Sequence, residues 1–109
     1  MLNGGRELTK SANLMQRANG YLIIGSAYFH LNQIDNSIVY SKCAIDCNSN
    51  LVDPYYNIAN ALKLKGRLHE AKDYLYKAIM IQPNFINAHF SYAHILTKLG
   101  LLNEALNVI

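Results

Sequence analysis

Proline and glycine are scarce in these 109 residues, two and six respectively. That scarcity speaks against a many-turned β fold and, with alanine, leucine and isoleucine abundant, points to an all-α chain. Cysteine is scarcer still: Cys43 and Cys47 lie four apart on a predicted helix, a poor framework for a disulfide and nothing like a secreted disulfide scaffold. No block of like charge occurs. Ten basic residues set against seven acidic ones give a formal charge of +3 spread along the chain, which leaves no nucleic-acid footprint. Long apolar runs are missing too, since stretches such as 21–24 are soon broken by polar residues and none nears the roughly 18 to 20 needed to span a membrane. Residues 1–6 do not lead a charged segment into an apolar one, and no asparagine stands in a glycosylation acceptor. The expectation is a soluble, cytoplasmic protein without membrane contact.

What is present is 51% apolar and only 16% charged, enough to bury a core and unlike a disordered chain. The length suits one small domain and leaves little room for a separate catalytic one. Sliding the sequence over itself by 34 residues aligns Tyr21/Tyr55, Ile24/Ile58, Ala27/Ala61, Tyr40/Tyr74, Ala44/Ala78, Ile45/Ile79 and Asn50/Asn84. A second shift aligns Ala59/Ala93, Leu62/Leu96, Gly66/Gly100, Leu68/Leu102, Glu70/Glu104 and Ala71/Ala105. Chance would supply about two matches per shift. The copies are 18–51, 52–85 and a partial 86–109, after a lead-in over 1–17 in which Glu7 to Arg17 can form a short helix.

The matches have a physical pattern. Tyr55, Ile58, Ala59 and Leu62 follow the i, i+3, i+4, i+7 spacing of one helical stripe, with Asp53 read as N-cap, Pro54 at the first helical position and Gly66 closing the helix. A second stripe through Ala71, Leu75, Ala78 and Ile79 ends before Pro83. The short link between them predicts an antiparallel hairpin too thin to cover its own apolar face, so hairpins must stack. Helices are expected near 19–31, 35–48, 53–65, 69–82, 87–99 and 103–109.

With Tyr55, Ile58, Ala59, Leu62, Gly66, Ala71, Ala78 and Pro83 in place, the second copy resembles the tetratricopeptide repeat (TPR) family almost throughout. In the first copy Asn32 replaces the glycine, Ser37 an alanine and Ser49 the proline. The third offers His89, Tyr92, Ala93, Leu96, Gly100 and Ala105. The resemblance implies a right-handed α-solenoid of about three stacked hairpins, the last truncated. Small residues at Gly25, Ala59 and Ala93, and at Ser37, Ala71 and Ala105, would let the paired helices cross closely. Residues 66–85 also look like the repeat segment of O-linked N-acetylglucosamine transferases, in which repeats present substrates to a glycosyltransferase domain; Asn57 matches a groove asparagine of that segment, whereas Ile23 and Ser91 replace it in the flanking copies.

The polar residues offer little chemistry of their own. Cys43-x3-Cys47 lacks zinc-knuckle spacing, and Cys47 falls where an apolar core residue is expected. His89 takes a bulky core position, while His30, His69 and His94 sit on separate helices without a sequence partner. No metal, cofactor or catalytic residue is expected. Lys63, Lys65 and Arg67 fall at a helix C-terminus, where cations complement the macrodipole, with Glu70 and Asp73 following; Asp73 and Lys77 are an i, i+4 pair.

By the resemblance, the inner faces of the first helix in each repeat hold a partner. The residues so placed are Leu22, Ser26 and Phe29, with His30 beside them; then Tyr56, Asn57, Asn60 and Lys63; then Asn87, Phe90, Ser91 and His94. The implied function is a noncatalytic scaffold holding a protein or peptide partner as an extended internal segment. No Hsp70/Hsp90-type carboxylate clamp is expected, because Leu22, Ser26, Asn87 and Ser91 stand where the clamp has cations or asparagine. Leu102, Leu106 and Ile109 leave an uncapped C-terminal edge through which the chain could self-associate.

Overall fold

A computed structural model describes residues 2–100, with side chains from Asn13 onward. Five helices follow one another: α1 (Leu2–His30), α2 (Ile34–Cys47), α3 (Val52–Leu64), α4 (Leu68–Ile81) and α5 (Ile86–Lys98). α1 packs against α2 and α3 against α4 as hairpins; α2 abuts α3, and α4 abuts α5. No strand occurs among the described residues. The architecture is a stack of antiparallel helical hairpins. The expected helix over 103–109 and the C-terminal edge of Leu102, Leu106 and Ile109 lie outside the described residues.

Turn chemistry fixes each hairpin. α3 ends at Gly66, whose φ is +77°, with Gly66 N–H on the Lys63 carbonyl at 3.0 Å and Arg67 N–H on the Leu62 carbonyl at 2.9 Å. This paired closure requires a left-handed residue, which glycine adopts without steric cost. α1 ends in the same way at Asn32, with φ +61° and the equivalent bonds Asn32 N–H to Phe29 O (3.0 Å) and Gln33 N–H to Tyr28 O (2.9 Å). The asparagine thus does the work of the missing glycine, being among the few side chains that tolerate this region.

Helix starts differ from the sequence expectation. α2, α3, α4 and α5 each begin one residue early, behind Gln33, Leu51, Arg67 and Phe85, none of which caps with its side chain. Asp53 is therefore not the N-cap but the second helical residue, where its charge still favours the helix N-terminus, and Pro54 is the third, where an N–H would have no intrahelical partner. The first helix also exceeds its expected span of 19–31, running unbroken through the lead-in from Leu2.

The core is continuous along the stack: Ile38, Tyr55, Ile58, Ala61, Leu62, Ala71, Leu75, Ala78, Ala88 and Ile95 form one buried cluster. In the first hairpin the helices approach so closely at Gly25 that a Cβ there would stand 2.7 Å from Ser41 Oγ and 3.3 Å from the Ser37 carbonyl oxygen. The hydroxyls of Ser37 and Ser41 are buried in that contact with no hydrogen-bond partner.

The hairpin links are pinned by a recurrent bond. Tyr55 donates its hydroxyl to the Ser49 carbonyl at 2.8 Å, and 34 residues later the ring nitrogen of His89 meets the Pro83 carbonyl at 2.6 Å, so His89 Nε2 carries the proton. His89 is half-buried and spends its N–H on the preceding link, rather than being the packed core residue expected. Burial, and secondarily the charge of neighbouring Tyr74, raises the Tyr55 phenol above its ordinary value.

Candidate functional site

The expected partner-binding residues lie on α1, α3 and α5, on the faces that the repeat register expects to turn inward. Between α1 and α3 these faces form a cleft of about 190 Å³ lined by Ser26, Phe29, His30, Asn57 and Asn60. Ser26 and Phe29 lie three apart on α1, and Asn57 and Asn60 three apart on α3, a spacing that sets each pair on one helix face. Asn57 donates its amide to Ser26 Oγ across the cleft at 3.2 Å, a bond between residues 31 apart in sequence. Asn60 is half-buried beside it, with no hydrogen bond among the described residues. The cleft thus presents an amide oxygen, amide N–H donors and a hydroxyl next to an aromatic ring, a set that can satisfy a peptide backbone and accept an apolar side chain.

Other expected residues fall around it. Tyr56 packs its ring against Phe85, 5.0 Å between centroids, so part of its apolar surface is already spent inside the protein. Leu22 and Lys63 are half-buried on the flanks. On α5, Asn87, Phe90 and His94 are exposed and Ser91 half-buried, with Phe90 60% accessible; no contact among the described residues ties these four to the cleft. His30 joins the cleft, and its place on the inner face is the signal that finds it.

Charged groups near the site serve the frame. Lys65 pairs with Asp35 across the hairpin boundary, and that hydrogen bond, followed by the lysine charge, holds the Asp35 carboxyl below its ordinary value. Arg67 clasps Glu70 with bonds of 2.8 to 3.0 Å. Two of the three clustered cations are therefore engaged in ion pairs, and Lys77 places its ammonium 5.3 Å over the Tyr74 ring. Cys43 and Cys47 are free, half-buried thiols, so Cys47 is less enclosed than its repeat position implies. No group of three or more histidine, cysteine or acidic residues is placed to hold a metal among the described residues. No helix among them is long and apolar enough to cross a membrane.

A stack of helical hairpins closed by left-handed turns every 34 residues defines a helical repeat protein. Residues 52–85 match the family model of the tetratricopeptide repeat. Solved structures agree. A crystal structure of MamA is 31% identical, with a TM-score of 0.81 over 84% of this chain and 53% of that one. The second TPR of Spaghetti (RPAP3), bound to the HSP90 peptide SRMEEVD, shares the fold with a TM-score of 0.85 at 22% identity, over 90% of both chains. The TPR2B domain of yeast Sti1 in complex with pHsp70 is 25% identical, with a TM-score of 0.81 over 85% of this chain and 74% of that one. Family model and structures together support the TPR family. This chain spans about half the length of the MamA chains it matches, 53% and 50%. No curated protein matches it in sequence. The family model is that of the generic repeat and does not single out the O-linked N-acetylglucosamine transferases.

Proposed function

We propose that this chain is a noncatalytic interaction module that holds an extended internal segment of a partner protein along the inner faces of α1, α3 and α5. TPR domains bind peptides and protein partners, and the observation that carries the reading here is the cleft in which Ser26, Phe29, Asn57 and Asn60 converge. Asn57 and Asn60 would bond the partner's backbone, and Phe29 with Phe90 would cover its apolar side chains.

The two solved relatives that hold chaperone segments do not carry that ligand over to this chain. A terminal carboxylate needs convergent cations to offset its desolvation, and the corresponding positions here are Leu22, Ser26, Asn57, Asn87 and Ser91. Lys63, the cation expected on the inner face of α3, lies about 1.7 turns beyond Asn57.

The test uses immobilised arrays of unstructured peptides, followed by titration of the best binder. Asn57→Ala should weaken it by about 1 to 2 kcal/mol while the thermal melt stays cooperative, and amidating the peptide's C-terminus should change nothing. Micromolar binding of a chaperone tail peptide that vanishes on amidation would refute the proposal.

A further inference from the structure

Every first helix of a TPR hairpin has one stripe that meets the hairpin before it. On α3 that stripe is Pro54, Ile58, Ala61 and Lys65: the first three are buried, and Lys65 reaches back to Asp35 at the start of α2. On α5 it is Ala88, Tyr92, Ile95 and Leu99, again buried or half-buried against α4. The same positions in the first repeat are Gly20, Ile24 and Ala27 on α1 and Leu31 just past its end. Here Ile24 is 41% and Leu31 66% accessible, Ala27 is exposed, and the space above Gly20 is open for at least 4 Å.

The segment that would fold back over this stripe in a longer array is the one just before residue 18. In this chain it continues straight on as α1, from Leu2 to His30 without a break, and is carried away along the helix axis. The stripe therefore has the composition of a buried stacking surface, and residues 2–17 run on along the helix axis instead of folding back over it.

The residues also match their own reversed order. Two copies of α1 laid antiparallel, with a two-fold axis between residues 25 and 26, set Gly20 opposite Leu31 and Ile24 opposite Ala27, each large side chain facing a small one. A two-fold contact must be complementary to itself in this way, and small residues opposite large ones are what allow helices to interlock closely. No acidic or basic side chain lies among these four positions. We infer that the exposed stripe of α1 is a self-association surface, and that its occupant is the α1 stripe of a second copy of this chain in antiparallel, two-fold register. Such a contact leaves the cleft of Ser26 and Asn57 on a neighbouring face, so it stands or falls independently of the peptide reading.

Because essentially one helix face per copy is buried, the dimer should be weak and concentration-dependent. Sedimentation equilibrium of the full chain, from a few micromolar to several hundred, should show a monomer–dimer equilibrium. Ile24→Lys or Leu31→Lys should weaken it about tenfold or more with an unchanged far-ultraviolet circular dichroism spectrum, whereas Phe90→Lys should leave it alone. Register is read by cross-linking in a Cys43→Ala/Cys47→Ala background: mixing the single variants Ile24→Cys and Ala27→Cys should give a mixed disulfide dimer faster than either gives its own. A monomer throughout the concentration range would overturn the inference. So would association that survives Ile24→Lys but is lost in Leu106→Lys, which would move it to the C-terminal edge, or homodisulfides at residue 24 that outpace the mixed species.

Discussion

Asn32 and Gly66 hold the same left-handed turn with different side chains, and the difference can be measured. Gly66→Ala puts a Cβ on a backbone at φ +77° and should cost about 1 kcal/mol. Asn32→Ala should cost a similar amount and Asn32→Gly should be nearly neutral, all by urea unfolding. Tyr55 makes a second residue-scale prediction. Its phenol is held protonated above the ordinary value of 10.0, so the stability it contributes is fully present below that pH and is lost as pH rises through the raised value. Tyr55→Phe should cost about 1 kcal/mol near neutrality through the lost bond to Ser49 O, and it should flatten the alkaline fall in melting temperature. At this scale the sequence is an incomplete guide. Asn32 reads as a departure from the repeat because periodicity compares side chains, whereas what the turn requires is a backbone angle.

Between the elements, the two complete hairpins reach close contact by different means. The second has Ala59 and Ala71 at the positions expected to cross, both buried without a polar atom in the side chain; the first uses Gly25 against two serines with unsatisfied hydroxyls. Removing a buried orphan hydroxyl removes its desolvation penalty, so Ser41→Ala should stabilise the protein by about 1 kcal/mol. Gly25→Ala should destabilise it by about 1 to 3 kcal/mol. Since the nearest clash is with Ser41 Oγ, the double variant should lose less than the sum of the parts, and a double-mutant cycle by chemical denaturation measures that coupling. The helices themselves are readable from their apolar stripes, but their starts are not: without side-chain caps, nothing in the sequence marks Leu51 rather than Asp53 as the boundary. The pairing of Ser26 and Phe29 with Asn57 and Asn60 about one cleft follows the repeat register. The Asn57 to Ser26 bond and the packing of Tyr56 on Phe85 do not, because both depend on the spacing between neighbouring hairpins, which a 34-residue period leaves open.

For the whole molecule, stability is a sum of hairpins and the contacts between them. α3 is packed on both sides, by α2 and α4, whereas α1 has its preceding-repeat stripe in water. Amide exchange should accordingly be slowest in α3 and α4 and faster in α1, with exchange rates read helix by helix. The Lys65 to Asp35 pair joins the first two hairpins at the surface, and with the Asp35 carboxyl depressed from 3.8, its contribution is present above that pH and lost as pH falls through the lower value. The unbroken run from Leu2 to His30 also couples direction to length. A helix turns about 100° and advances about 1.5 Å for each residue, so one residue inserted upstream of Asn13 would swing anything borne at the far end to another quarter of the compass relative to the groove, while seven would bring it back nearly into line. The first helix is thereby a protractor as well as a wall of the stack, setting the bearing of its own N-terminal end relative to the groove.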